Sequence, residues 1–266
     1  MEQRFTFDRV AVLYDAARPD YPEALFDDVT VAANPGDDDT VLEIGCGTGQ
    51  ATRRLATSGF QIVALDPGPE LIRIARDRLA KHSNIEFVNA TFEAWPPRPD
   101  PFKLVLAAQS LHWVAPEIRF VKAAEALIPG GYLAVFGNVP VSLAAPIWND
   151  FQRIYTEHAP HFLGPPPENW YLPSGPIIKL FEESRRFEPA EHSAYPWTWA
   201  LMPASFTDYL RTISGFRLLE PAKREALLAA LSNCVVAHGG RVELGFEAHL
   251  YLARKKSWSR TTVFGT

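Results

Sequence analysis

Between residues 40 and 138 the apolar positions follow two alternating rhythms. Short, mostly apolar runs at residues 41–44, 61–65, 85–88, 104–108 and 132–136 have the length of buried strands. Asp37, Asp38 and Asp39 precede the first run and Gly45 follows it. Residues 51–58 read as a helix stopped by Gly59, and Leu71, Ile72, Ala75 and Leu79 recur at helical spacing with Arg73, Arg76 and Lys81 on other faces. Residues 118–127 read as another helix, and Pro129, Gly130 and Gly131 make a turn before the fifth strand. Alternation of this kind predicts an α/β fold with a parallel sheet and helices on both faces.

The rhythm breaks after Pro140. Prolines at 146, 160, 165, 166, 167, 173 and 176 are interleaved with Trp148, Tyr155, Trp170 and Tyr171, which no simple strand–helix unit tolerates. Residues 205–214 and 221–236 read as helices, the second through Leu227, Leu228 and Leu231. Residues 187–199 and 241–253 have strand character, with Gly239 and Gly240 just before the second. The expected organisation is a single domain over residues 1–266 with no internal repeat. It comprises a helical segment at 1–35, a core at 36–139, lid insertions at 140–186 and 200–240, and closing strands at 187–199 and 241–254.

Composition narrows the function classes. The 47% hydrophobic and 21% charged content of 266 residues is that of an ordinary globular chain with a sizeable core. A net charge of -5 without a block of lysine and arginine disfavours nucleic acid as a partner. Arg254, Lys255 and Lys256, with Arg260 nearby, read as a solvated tail. Cys46 falls in a glycine turn and Cys234 in an apolar helix, so no disulfide framework is indicated. No histidine–cysteine group has zinc-site spacing, and no metal is expected. The first eight residues lack the apolar core of a signal peptide, and no run is long enough to span a bilayer. A cytoplasmic protein with no membrane partner is the expectation; the oligomeric state does not follow from the sequence.

The chemistry centres on residues 43–49, where Gly45, Gly47 and Gly49 alternate after a strand. Such a turn admits backbone angles closed to other residues and lets a ligand approach the main chain. A dinucleotide fingerprint would need a third glycine where Gln50 or Thr52 stands, so the nicotinamide pattern is incomplete in both frames. The second strand ends on Asp66, followed by Pro67, where α/β sheets grip a ribose diol. An ionised carboxylate there accepts both hydroxyls; alternatively, Asp66 caps the helix that follows. Together these features point to an adenosine-bearing cofactor.

At this point the chain resembles the class I S-adenosylmethionine-dependent methyltransferases. The resemblance covers residues 41–138 through the Glu43–Gly49 turn, Leu65-Asp66-Pro67, the 84–96 segment, Leu111-His112-Trp113 and the 127–131 run. Tyr14 to Pro22 and the 109–113 run are similar to a small-molecule subgroup that includes trans-aconitate methyltransferases. The resemblance implies a Rossmann-like, mostly parallel seven-stranded sheet with an antiparallel last strand and helical lid insertions. It implies S-adenosyl-L-methionine as cofactor, held by Tyr14, Arg18, Glu43, Gly45, Cys46, Gly47, Asp66, Pro67, Thr91, Phe92 and Gln109. Gly45 and Gly47 would make room for the methionine part and Glu43 would support the turn from beneath. Thr91 stands where many relatives carry an acid for the adenine amine. Phe92 would wall the ring, or simply pack in the core.

Methyl transfer from a sulfonium asks the protein to align donor and acceptor and to exclude water. A general base matters only if the acceptor must lose a proton. His112, just past the fourth strand at the carboxyl edge of the sheet, is the candidate catalytic residue; the alternative is a loop histidine bonded to main chain. Arg18 meets the cofactor carboxylate or an anionic acceptor, or else ends an N-terminal helix packed by Tyr14. Candidate substrate contacts are His112, Trp113, Trp170, Tyr171 and Trp197, with His158, His161 and Trp199 in adjoining segments. The expected function is methylation of a small-molecule acceptor. The rivals are a non-catalytic S-adenosylmethionine-binding regulator and a nicotinamide-dependent oxidoreductase.

Overall fold

A computed structural model describes residues 8, 11–34, 36, 39–96, 98–141, 143–160 and 167–257. His161, Arg260 and the first seven residues lie outside them.

The short apolar runs form the expected strands: β1 (Thr40–Ile44), β2 (Gln61–Asp66), β3 (Ile85–Asn89), β4 (Phe102–Ala108) and β5 (Leu127–Pro140). They pair in parallel, and β6 (Glu191–Leu201) and β7 (Val242–Arg254) complete a seven-stranded sheet of order β3-β2-β1-β4-β5-β7-β6. β7 runs antiparallel to both neighbours. The sheet reverses its strand order at β1 and β4, and ligands bind in the crevice such a switch opens at the carboxyl ends.

Alternation along the strands builds two cores. Leu42, Ile44, Val105, Leu133 and Val135 face one side, where α5 (Pro116–Ala126) contributes Phe120 and Ala123. Val41, Ile62, Leu104, Leu106 and Phe136 face the other. There α2 (Glu23–Ala33) contributes Leu25, Phe26 and Val29, and α3 (Gln50–Ala56) contributes Leu55. Such two-sided burial is what a parallel sheet requires. α1 (Ala11–Ala17) packs on α4 (Pro69–Arg78) through Ala11, Leu71 and Ile74.

Three local expectations change. Pro129, Gly130 and Gly131 lie within β5, in an irregularity where Phe102 pairs with Leu127 but Leu104 pairs with Tyr132. The expected start of the sixth strand at Phe187 is only an isolated bridge to Lys255. Pro196 fits β6 because that strand is an edge. Arg254 and Lys255 are not a solvated tail, since Arg254 Nε donates to the Gly130 carbonyl at 3.2 Å and Lys255 Nζ to that of Leu127 at 2.6 Å.

The insertion at 140–186 is not one unit. It contains α6 (Ala145–His158), a 3-10 turn at Pro167–Tyr171 and α7 (Ile177–Ser184). α7 buries Ile177 and Phe181 in the sheet core, with the Phe181 ring 4.9 Å from that of Phe120. It is the crossover helix between β5 and β6, and its burial sets it apart from a lid. α6 instead joins α8 (Pro203–Thr212), α9 (Ser214–Leu218) and α10 (Pro221–Ala237). Phe151, Phe206, Phe216, Leu227 and Leu231 form this third core with the far ends of β6 and β7. Among the described residues, no helix is long and apolar enough to cross a membrane.

Candidate active site at the carboxyl edge of the sheet

The turn after β1 is held by contacts within the chain. Gly45 has φ +71°, and a Cβ there would lie 2.5 Å from the Cβ of Ser110. Ser110, in the turn after β4, donates its hydroxyl to the Ile44 carbonyl. Glycine at 45 is therefore required by the close approach of two turns of the chain itself, where the sequence suggested room for a ligand. Gly47 donates its amide to Asp66 Oδ2 at 2.9 Å, and Asp66 Oδ1 accepts the Gly68 amide at 2.8 Å. Asp66 thus ties the turn after β1 to the turn after β2.

The helix-cap alternative for Asp66 belongs to another residue. Asp8 Oδ1 accepts the amides of Glu70 and Leu71 at 2.7 and 3.2 Å, capping the start of α4 from far away in sequence. Burial pushes the Asp66 carboxyl up to about 6, against the two amide bonds that favour its charge. Burial likewise raises Glu43 to about 7, although Glu43 Oε2 accepts the Thr52 hydroxyl at 2.6 Å. Glu43 Oε1 is buried with no hydrogen-bond partner among the described residues.

A cavity opens where these turns converge. Tyr14, Arg18, Gly45, Gly47, Asp66 and Pro67 line it, together with Thr91, Phe92 and Gln109. Glu43 and Cys46 line an adjoining pocket that shares Tyr14, Arg18 and Gly47 with the first. Arg18 reaches α8 through Thr212, whose carbonyl accepts its guanidinium at 2.9 Å, while its Nε is buried with no hydrogen-bond partner among the described residues. Thr91 accepts the Ala94 amide at 3.2 Å, so its hydroxyl is engaged in its own turn. Phe92 is both core and cavity wall. Gln109 takes a left-handed φ of +49° and accepts the Tyr21 hydroxyl at 3.1 Å. For a residue other than glycine that conformation is uncommon.

His112, Trp113 and Tyr171 also face the cavity. His112 sits on a 3-10 turn, Leu111–Trp113, with Nδ1 2.9 Å from the Tyr171 hydroxyl. Burial lowers its imidazole to about 4, and the Arg119 guanidinium adds to the effect. The ring is therefore neutral at physiological pH. Tyr171 is itself locked: its carbonyl accepts the Tyr251 hydroxyl at 2.9 Å. Its ring lies so close to Gly137 that a Cβ there would be 2.7 Å away.

Two expected substrate residues fall elsewhere. Trp170 touches the His112 ring, at a centroid distance of 5.8 Å, but stands behind the cavity wall with Arg119 over its ring. Trp197 stacks on Phe246 at 5.0 Å and donates its indole N–H to Asn138 Oδ1 at 3.1 Å, outside the cavity lining. Its place in β6 turns it onto β7, in the third core. Trp199 packs edge-on against Tyr209, and His158 ends α6. Ser110, Ser214 and Gly137 belong to the site but escaped sequence reasoning. Gly137 carried a signal, since a glycine inside a strand marks close backbone approach. Ser214 carried none, because it arrives from a distant helix.

The cavity fits an S-adenosylmethionine-type ligand on the chemistry of its lining. The partnerless Glu43 Oε1 and Arg18 Nε offer a carboxyl oxygen and a cation. Asp66 offers acceptors at the end of β2.

Comparison with known proteins agrees with this geometry. Residues 41–131 match the family model described as a methyltransferase domain. An uncharacterized methyltransferase of Mycobacterium tuberculosis is 33% identical over 137 residues, covering 52% of this chain and 54% of that protein. The trans-aconitate 2-methyltransferase of Paracidovorax citrulli is 35% identical over 99 residues, covering 36% of this chain and 37% of its own. The chain thus spans about half the length, or less, of the curated relatives it matches. Among solved structures, a protein from Anaeromyxobacter dehalogenans provisionally described as a type II methyltransferase aligns with TM-score 0.67 at 22% identity, over 91% of this chain and 99% of that one. The 4+2 cyclase SpnF aligns with TM-score 0.55 at 17% identity, over 95% and 94%. These structural likenesses establish the fold. The family match falls on the same stretch that builds the glycine turn and the Asp66 tether, and residues 41–131 carry a methyltransferase-type domain.

Proposed function

We propose that this protein methylates a small-molecule acceptor, with S-adenosylmethionine held across the β1, β2 and β3 turns and the acceptor placed against His112 and Tyr171. The observation that carries the reading is a single cavity lined at once by Gly47, Asp66, His112 and Tyr171. The cofactor supplies an electrophilic methyl group. Asp66 accepts the ribose hydroxyls, Arg18 pairs with the cofactor's carboxylate, and the Phe92 face walls the base. Tyr14 and Ser214, from elements outside the sheet, cover the opening and exclude water. The third core, built on α6 and α8–α10, acts as the cap that limits acceptor size. Ser214 brings this cap to the cavity, whose convergent lining suits a metabolite better than a polymer.

His112 acts by position more than by basicity. A buried imidazole that titrates near 4 takes up protons poorly at neutral pH. Bonded through Nδ1 to Tyr171, its other ring nitrogen is left to orient an acceptor. This favours acceptors that already present a lone pair, such as an ionised carboxylate. The curated relatives named for trans-aconitate agree with that class. The two cysteines are unbridged, as in proteins of a reducing, cytoplasmic setting.

A neighbour named as a cyclase shows that this fold also carries reactions other than methyl transfer, so the second reading is a protein that binds the cofactor without transferring methyl groups. Turnover against a panel of carboxylated and hydroxylated metabolites, read by S-adenosylhomocysteine release, separates the two. Release with a carboxylated acceptor supports the proposal. Cofactor binding without release from any acceptor supports the regulator.

A further inference from the structure

Away from the cavity, α6 and α10 bring three metal-ligating side chains together. Among the described residues, Asp150, Cys234 and His238 each offer one ligand atom, all within 4.8 Å of one another. Cys234 lies in the last turn of α10 and His238, four residues on, is its C-cap; the His238 amide bonds the Cys234 carbonyl at 3.0 Å, so the helical turn between them is intact. Asp150 comes from the facing helix α6, and His238 Nε2 lies 2.7 Å from its Oδ2. The sequence scan found no zinc spacing because the third ligand is distant in the chain and only the helix pairing delivers it.

We propose that Asp150, Cys234 and His238 form a binding site for a zinc-type divalent ion that staples α6 to α10. Thiolate, imidazole and carboxylate form a donor set suited to zinc and to its spectroscopic substitute cobalt. Zinc–ligand bonds of about 2.0–2.3 Å in a tetrahedron put donor atoms roughly 3.3–3.8 Å apart. Side-chain rotations that open the Asp150–His238 pair by about 0.6 Å and bring the Cys234 sulfur in by about 1 Å reach that geometry. Two competitors must give way. One is the Asp150–His238 hydrogen bond; the other is Arg153, which pairs with Asp150 but is 81% exposed and free to swing into solvent. Three protein ligands leave the fourth position to water, and the half-buried Cys234 keeps one side of the site against the third core. The role is structural, since the ion would bridge two helices that otherwise meet through apolar contacts and the Asp150–His238 bond.

The test uses the full chain, stripped with a chelator and titrated with zinc or cobalt chloride alone. One equivalent of cobalt should produce a thiolate charge-transfer band. Zinc should slow modification of Cys234 by an aromatic disulfide at least tenfold, with the labelled residue identified by peptide mass because Cys46 is buried. Folded His238→Ala and Asp150→Ala proteins should lose most of both effects. Labelling of wild type at the same rate with and without zinc, together with no cobalt band, overturns the site. So does protection that survives in folded His238→Ala. The wild-type readouts decide the matter even where a variant fails to fold.

Discussion

Asp66 and Glu43 are carboxyl groups whose burial favours the neutral form, to about 6 and about 7, while His112 is held neutral down to about 4. Their linkage to folding runs in opposite directions. For the two acids the folded state binds protons that the unfolded chain releases. Their contribution is complete below the unfolded carboxylate range and is lost as pH rises through about 6 to 7. For His112 the unfolded state binds the extra proton, so its contribution is present above the ordinary imidazole range and is lost as pH falls toward about 4. Denaturation of the ligand-free protein across pH 4–8 should therefore show the carboxyl loss in Glu43→Gln shrinking relative to wild type. Catalysis separates from both. In His112→Ala, turnover should fall by about 100-fold or more, on the scale of a positioned acid–base or orienting group, with cofactor affinity near wild type. The wild-type rate should show no inflection at the ordinary histidine pKa. Lost affinity with intact turnover would move His112 into the cofactor shell.

At the scale of elements, two placements can be challenged by single substitutions. Gly137 in β5 lets the Tyr171 ring lie against the strand. Gly137→Ala should cost about 1–3 kcal/mol by overpacking, read from chemical denaturation, and should lower turnover by displacing the partner of His112. Phe181 distinguishes a core helix from a lid. Phe181→Ala should destabilise by about 3–5 kcal/mol, because α7 carries it into the sheet core beside Phe120. A near-neutral effect would return α7 to the surface. The periodicity of residues 41–136 gave the strands correctly because each short, mostly apolar run is flanked by its own turn residues. Residues 140–186 were opaque for the opposite reason. Prolines and aromatics there read as a single irregular insertion, and nothing local says that Ile177 and Phe181 bury against the sheet while Phe151 buries against α8.

For the whole molecule, what was legible in the sequence follows the range of the interactions. The glycine turn, Asp66 and His112 are local signals at strand ends, and the fold assembles them in one cavity. Asp8 capping α4, Ser110 against Gly45 and Ser214 in the wall depend on contacts between distant segments, and no pattern along the chain encodes them. Trp197 misled because an aromatic near a predicted lid carries no mark of which way its strand turns it. The helices α6 and α8–α10 form a core of their own outside residues 41–131, which carry the shared family domain. Titration calorimetry of S-adenosylmethionine into wild-type and Asp66→Ala protein tests the central claim most directly. The account predicts one-to-one binding that weakens as pH falls below about 6, where Asp66 becomes protonated. It predicts a loss of about 1–3 kcal/mol in folded Asp66→Ala, the scale of a hydrogen bond to a charged group. Absence of binding to wild type, or equal affinity in folded Asp66→Ala, would contradict it.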